Sequence, residues 1–252
     1  MTIAQPRADG SIPRPIKRGA KVAEALAQEI VYEIVSRKLA PGTLLSSEAQ
    51  MLVDYGVGRG SLREALRILE VHGLITMKPG RHGGPMVIEV GAREYGRMST
   101  LFFHVGGMTF QELIEARLQM EPMMARLAAE RRADDLVADG GQPTGDEVSV
   151  DDRAYFTATH RFHRTVASLS GNPILNLFSM SLEEIFQDQI SGLLFPEEQR
   201  GEVLAVHAII AEAISAGWAQ KAERLMREHM QEYADWVHAR HPSLMDAVVD
   251  WQ

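Results

Sequence analysis

Apolar side chains recur every three or four residues along most of the chain, which is the pattern of helices with one buried face. In the first third this pattern runs through residues 21–39, restarts after Ser47 and continues from about residue 60 to 71. Two short β-type runs follow, Leu74–Met77 and Met86–Val90, separated by a segment rich in Gly and Pro. The order helix, helix, turn, helix, hairpin predicts a winged helix-turn-helix.

Beyond residue 90 the pattern is helical nearly throughout. A Gly- and Asp-rich stretch at 134–152 interrupts it and is interpreted as a loop. The remaining periodic spans are long enough to pack as an antiparallel bundle around one core. We therefore predict a mainly α protein with an N-terminal winged helix-turn-helix and an all-helical antiparallel bundle, its helices at residues 110–132, 153–169, 173–190, 197–216 and 219–239.

The length of 252 residues is enough for two ordinary domains. The changes of pattern and the positions of Pro and Gly give provisional boundaries for them. These boundaries divide the chain into a flexible tail (1–16), a winged-helix domain (17–90), a linker with a connecting helix (91–109), an all-α domain (110–240) and a C-terminal tail (241–252).

Charge is distributed unevenly between the two predicted domains. Residues 1–90 carry a formal charge of +3, whereas residues 91–252 carry −11. A mildly basic module on an acidic body is typical of a polyanion-binding domain joined to a domain with another task, although drift in surface composition explains it equally well. The chain has no cysteine, which excludes thiol catalysis and cysteine-based metal sites. The absence of a signal-peptide or membrane-span pattern leads us to expect a cytoplasmic protein without a membrane partner.

The predicted third helix and hairpin carry the candidate DNA-binding residues. Arginines near the start of such a helix can reach guanine edges or phosphates, and a basic hairpin suits phosphate contact. The alternative is an ordinary solvated helix face. The candidates are Arg59, Ser61, Arg63 and Arg67 on the helix, with Lys78 and Arg81 on the hairpin.

Three histidines fall on apolar stripes of three different predicted helices. His163, His207 and His229 would converge if those helices pack as a bundle. Three imidazoles suit Zn²⁺, Ni²⁺ or another borderline divalent cation, and three protein ligands leave a position open for a small ligand. The alternative is that each histidine is a hydrogen-bonded core residue.

The stretch LAPGTLLSSEAQMLVDYGVGRGSLREALRILEVHGLI resembles the winged helix of the GntR superfamily of bacterial transcription regulators. The resemblance implies that Arg59 and Arg63 touch DNA and that Gly80 lies at the tip of the wing. Ala49 stands where the family often has Arg, and glycines flank Arg59 where the family has polar residues. These departures affect the DNA contacts that we expect, and they leave the expected fold unchanged.

The C-terminal stretches TFQELIEARLQMEPMMARLAAERR, RFHRTVASLSGNPIL and VHAIIAEAISAGWAQKAERLMREHM look like the FCD effector domain of the FadR subgroup. In metal-binding FCD domains an Asp four residues before the first His completes the site, and this chain has Thr159 there. The resemblance also implies sensing of carboxylated metabolites. We accordingly predict a bound divalent metal, zinc or nickel, and a small carboxylate effector held with the help of Arg117 and Asn172. The alternative for Arg117 is an ion pair with Glu121 or Glu112. For Asn172 the alternative is a cap of the next helix, which is the role that we favour.

The function predicted from these features is that of a ligand-responsive regulator, not an enzyme, which binds double-stranded operator DNA as a homodimer. Two other classes stay open from the sequence: a metal-dependent hydrolase or isomerase, and a winged helix used for protein contact. The sequence contains no His-Glu-x-x-His, nucleophile elbow, Walker A or dinucleotide motif. Salt-dependent DNA binding that is lost on Arg59→Ala distinguishes the regulator from both alternatives.

Overall fold

The computed structural model describes residues 22–80, 83–89, 91–131, 151–189 and 195–251. The described chain forms two compact units that divide between Glu94 and Tyr95. The predicted N-terminal tail, most of the predicted loop at 134–152, and Arg81 lie outside the described residues. Within the described part, no helix is both long and apolar enough to cross a membrane.

The N-terminal unit has the predicted order of elements. Ser47 caps its second helix by accepting a hydrogen bond from the Gln50 N–H, and Gly56 ends that helix with a φ of 63°, a left-handed conformation that glycine adopts at little cost. The hairpin pairs Ile75 with Val87 in antiparallel register. The elements are α1 (Val22–Ser36), α2 (Glu48–Tyr55), α3 (Arg59–Val71), β1 (Ile75–Lys78) and β2 (Gly84–Val87).

The core of this unit lies between α1, α3 and the hairpin. Leu26 and Ile30 of α1 pack with Leu62 and Leu69 of α3, and all four are almost completely buried. The backbone of residues 42–45 hydrogen-bonds to β2 and makes an isolated bridge from Leu44 to Met86. The connection between α1 and α2 is therefore tied to strand β2. The face of α3 that points away from the core is exposed.

The regular elements of the C-terminal unit are all helices within its described residues, and one isolated bridge pairs Thr109 with Val248. Its principal core is built from apolar residues on the facing sides of the long helices, among them Met124, Phe162, Ile210 and Met226. The predicted helix ends agree with the observed ones to within two residues. The elements are α4 (Ala92–Gly106, which begins before the division), α5 (Phe110–Glu130), α6 (Asp152–Leu169), α7 (Pro173–Gln189), α8 (Glu197–Ser215), α9 (Ala219–Arg240) and α10 (Pro242–Met245).

The C-terminal segment is packed, which corrects its interpretation as a tail. Met245 and Val249 are buried in a cluster with Phe110 and Val237. The Phe110 N–H donates to the carbonyl of residue 247 at 3.1 Å, and the Val249 N–H donates to that of residue 108 at 2.9 Å. The segment is held against the start of α5 because burial of these apolar side chains removes their surface from water, which is favourable.

Candidate functional site

The exposed face of α3 carries three arginines one helical turn apart. Arg59, Arg63 and Arg67 are all exposed, and the residues on the opposite side of the helix form the core. Spacing of four residues keeps the three guanidinium groups on one face. The Arg63 side chain is 74% exposed, and its Nε lies 3.7 Å from Oε2 of Glu48. An exposed pair of this length is weak, so Arg63 can exchange its partner for a phosphate or a base.

The hairpin supplies the other predicted DNA contacts within the same unit. Lys78 is exposed at the end of β1, and Gly80 is exposed in the connection that follows with a φ of 109°. This φ belongs to the left-handed region that favours glycine. Ser61 is half-buried in the first turn of α3. Contact of these residues with DNA stays a prediction.

The three predicted metal ligands meet inside the helical unit. His163 on α6, His207 on α8 and His229 on α9 are all buried, and one ring nitrogen of each lies within 4.8 Å of the others. The two Nε2 atoms of His207 and His229 are 3.0 Å apart. Phe162 stacks on the His207 ring at a centroid distance of 4.0 Å, which helps to hold that ring in place.

Burial keeps two of these rings neutral. Desolvation, with the neighbouring histidines, lowers the pKa of His207 well below its ordinary value. Desolvation and His163 lower the pKa of His229 to about 3. A neutral imidazole has a free lone pair, which is the form that binds metal. Both rings are consequently ready to act as ligands at neutral pH.

A charged pair lies directly beside the histidine cluster. Glu121 is 3% exposed, its Oε1 accepts a 2.7 Å hydrogen bond from Nε of Arg117, and its Oε2 contacts Nδ1 of His163. Burial alone would raise the pKa of Glu121, but Arg117 and His163 outweigh it and hold that pKa below its usual range. The Arg117 guanidinium also lies over the rings of Phe186 and Tyr233, at 5.2 and 6.0 Å.

This geometry shows which glutamate pairs with Arg117. The ion pair with Glu121 is present, as one of the two interpretations expected. A guanidinium has five N–H donors, and the Glu121 contact uses the Nε–H. Binding of an effector carboxylate by Arg117 stays a prediction.

The position of the family's fourth ligand is filled differently here. Thr159 is half-buried one turn before His163 on α6. His160, three residues before His163 on the same helix, has its Nδ1 against Oε1 of Glu183 and its ring beside Phe156. His160 is thus engaged with α7, and the cluster near His163 holds three histidines.

Asn172 forms a helix cap. Its Oδ1 accepts from the N–H groups of Ile174 and Leu175, at 3.0 and 3.4 Å, in the first turn of α7. The cap is the role that the sequence favoured, and it occupies the side-chain oxygen. Effector binding by Asn172 stays a prediction that this contact does not support.

Substitution of Asn172 distinguishes the two roles. Asn172→Ala is expected to lower the free energy of unfolding by about 0.5–2 kcal/mol, because the first N–H groups of α7 lose their acceptor. Urea unfolding of the full chain measures the change. Asn172→Asp, which keeps the cap oxygen, serves as the control. An Ala variant of unchanged stability would contradict the cap.

The sequence did not reveal Glu121 as the partner of His163. The two residues are 42 positions apart in the sequence, and periodicity along one helix cannot show a contact between two helices. A signal was nevertheless present: Arg117 and Glu121 are spaced by four on the side of the helix where Leu113, Ile114 and Met124 are buried. A charged pair within a buried stripe indicates a polar site inside the core.

Two protein-family models match the chain in the order of its two units. The model described as "Bacterial regulatory proteins, gntR family" matches residues 22–82, and the FCD domain matches residues 112–232. The chain belongs to the GntR family, with an FCD effector domain. It is a ligand-responsive transcription regulator of this family, with a DNA-binding winged helix and an effector-binding helical domain. FCD domains commonly bind metal, and the three histidines form a group that could hold an ion.

Relatives of this GntR-family chain support the same assignment. The protein named HTH-type transcriptional repressor NanR from Salmonella newport is 28% identical over 233 residues, which cover 90% of this chain and 88% of the relative. NanR from Salmonella typhimurium gives the same values. The solved structure of Streptococcus agalactiae GntR has a TM-score of 0.63 at 22% identity and covers 85% of this chain and 99% of its own. At that identity the likeness shows the fold.

Proposed function

We propose that the FCD domain holds one divalent cation on His163, His207 and His229. The observation that carries this proposal is the set of three buried imidazoles turned toward one point. Two ligands of a tetrahedral ion with metal–nitrogen bonds of about 2.0–2.1 Å lie roughly 3.3 Å apart, close to the 3.0 Å between the Nε2 atoms of His207 and His229. Without an ion, these facing nitrogens share at most one proton between neutral rings. The residues therefore fit a metal.

Imidazole ligands suit zinc and nickel best. Three neutral ligands leave the full charge of the dication in place, because Thr159 contributes no carboxylate. The ion would supply a Lewis-acidic position for one further ligand. We propose that this ligand is a small organic acid, since a carboxylate oxygen replaces metal-bound water readily and carries the opposite charge.

On the DNA side, we propose that the chain binds operator DNA as a homodimer and represses transcription. The relatives that match over nine-tenths of this chain are named as repressors. Paired half-sites double the small number of base contacts that one winged helix makes. The residues proposed to contact DNA are Arg59, Ser61, Arg63, Arg67, Lys78, Gly80 and Arg81.

The effector proposal is tested by a thermal-shift screen of the zinc-loaded protein. Hydroxy, keto and sugar acids are expected to raise the melting temperature, whereas the matching amides are not. Thr159→Asp adds a carboxylate next to the ion, so it should tighten zinc binding and weaken the acids by about tenfold or more, or roughly 1.4 kcal/mol. Thr157→Asp, an exposed position on the same helix, is the control.

Two outcomes would contradict this pocket. The first is a set of hits that consists of neutral molecules. The second is a bound acid whose affinity is the same in the wild type and in Thr159→Asp. An acid that binds must also change operator affinity, because a ligand shifts an equilibrium only by its differential affinity for the two states.

A further inference from the structure

We infer that Glu121 is a positioning residue for the metal centre: together with Arg117, it fixes the proton of His163 on Nδ1 and turns Nε2 toward the other two histidines. The inference rests on the proposed function, because it concerns the same three ligands. It assigns a role to a carboxylate that is not itself a proposed ligand.

The first step is the state of the Glu121 carboxylate. One oxygen accepts from the Arg117 Nε–H at 2.7 Å and the other contacts His163 Nδ1. The carboxylate is 3% exposed, so the cation of Arg117 is its charge partner within the described surroundings. A carboxylate paired in this way is ionised and can only accept hydrogen bonds.

The second step is the consequence for the ring. Because Glu121 only accepts, Nδ1 of His163 must carry a proton. In a neutral imidazole the lone pair is then on Nε2, and the ring cannot rotate by 180° without losing its acceptor. A carboxylate behind a ligating histidine also raises the basicity of the ligand. Glu121 thus makes Nε2 a stronger donor from behind the ring, while its own charge is balanced by Arg117.

His163 and His207 differ in what holds their rings in place. Within the described part of the chain, Nδ1 of His207 is buried and has no hydrogen-bond partner, and the ring is held by stacking on Phe162. His163 is held by a charged acceptor instead. Its ring meets His207 edge-on at a centroid distance of 5.3 Å. Glu121 on α5 is therefore the residue that sets the orientation of the His163 ring on α6.

Glu121→Gln makes a sharp test, because the amide cannot serve both neighbours as the carboxylate does. The amide oxygen must face the Arg117 Nε–H, which leaves the NH₂ group against His163 Nδ1. That arrangement demands a lone pair on Nδ1 and moves the proton to Nε2, the atom proposed to bind metal. We expect metal affinity to fall by about 10- to 100-fold.

The experiment has two readouts on the full chain. ¹⁵N NMR of metal-free protein at pH 8 reports the tautomer of His163, and competition titration with Co²⁺, followed by its visible absorption, reports affinity. The wild type is expected to have the Nδ1–H tautomer and Glu121→Gln the Nε2–H tautomer. Glu115→Gln, an exposed position on the same helix, is expected to change neither.

A double variant separates positioning from simple support of the fold. Arg117→Met with Glu121→Met removes both buried charges, so stability should recover relative to Glu121→Gln. Metal affinity should stay low in it because His163 has no acceptor. An Nε2–H tautomer in the wild type, or full affinity in either variant, would overturn the inference. A wild type that binds no Co²⁺ but shows the Nδ1–H tautomer would refute the proposed metal and leave the positioning intact.

Discussion

Replacement of His207 by Ala is expected to abolish metal binding. His207 is completely buried, and its Nε2 faces that of His229 at 3.0 Å. Two imidazoles with an open side hold a divalent ion far more weakly than three, and no described carboxylate is part of the cluster. Wild-type protein purified without chelator or nickel resin should contain about one metal per chain, measured by elemental analysis, and the variant close to none.

The same substitution should remove the stabilisation that metal provides. A ligand that binds only the folded state adds about 2.7 kcal/mol when its concentration is 100 times Kd. For a unit of this size that corresponds to a rise in melting temperature of very roughly 5–10 °C. Added Zn²⁺ or Ni²⁺ should therefore raise the melting temperature of the wild type and leave that of His207→Ala unchanged.

His238→Ala provides the matched control, since His238 is exposed on α9, the helix that carries His229. This variant should keep its metal and its response to zinc. If the wild type itself contains no metal, and its melting temperature does not respond to either ion, then the three histidines are ordinary core residues.

The helical part of the fold followed from side-chain spacing. The predicted helix at 197–216 is observed at Glu197–Ser215, because one apolar stripe and the breakers at its ends define such an element locally. The second strand was less well placed. It was predicted at 86–90 and is observed at Gly84–Val87, since Gly84 and Pro85 suggested a turn. Gly84 and Pro85 are nevertheless part of the strand, because they pair with β1 and because the Pro85 carbonyl accepts a 2.8 Å hydrogen bond from the Leu45 N–H.

The C-terminal segment shows what local pattern cannot supply. Residues 241–252 are too short a stretch to show a repeating apolar spacing, yet Val249 is completely buried. Its place depends on Met108 and Phe110, more than a hundred positions earlier. Such long-range packing is invisible to periodicity, which reports only which face of an element is apolar.

The candidate site likewise has features that the sequence could predict and features that only the structure shows. The three histidines could be found because each lies on an apolar stripe of its own helix. Their convergence needed the bundle, and the contact of Glu121 with His163 needed both side chains in place. Arg117 had two possible partners on its own helix, Glu121 and Glu112. The structure pairs it with Glu121 at 2.7 Å, whereas Glu112 accepts from the Thr109 N–H at the start of the helix.

Loss of the arginines on α3 is expected to abolish specific DNA binding. Arg59 and Arg63 are exposed on one face at the start of the helix. Each arginine that reads a base contributes about 1–3 kcal/mol. Two protomers present each position twice, so Arg59→Ala or Arg63→Ala should weaken binding by about 2–6 kcal/mol per dimer, or roughly 30-fold to more than 10⁴-fold.

The probe is a genomic fragment enriched by the wild-type protein, and binding is measured by fluorescence anisotropy at several salt concentrations. Each phosphate contact that is removed lowers the magnitude of the slope of log K against log [salt] by about 0.9, so an arginine that contacts a phosphate in both protomers lowers it by about 1.8 per dimer. Arg67→Ala lies one turn further along the helix and should show this salt effect with a smaller loss of specificity. The slope therefore sorts the three arginines into base-reading and phosphate-contacting groups.

Arg224→Ala is the control, because Arg224 is an exposed arginine on α9 in the other unit. It removes the same charge from the chain without touching α3, so its affinity and salt slope should match those of the wild type. Equal operator affinity for Arg59→Ala, Arg63→Ala and Arg224→Ala would show that this face of α3 does not read DNA. The winged helix would then have to be a protein-contact module, and the exposed arginines an ordinary solvated surface.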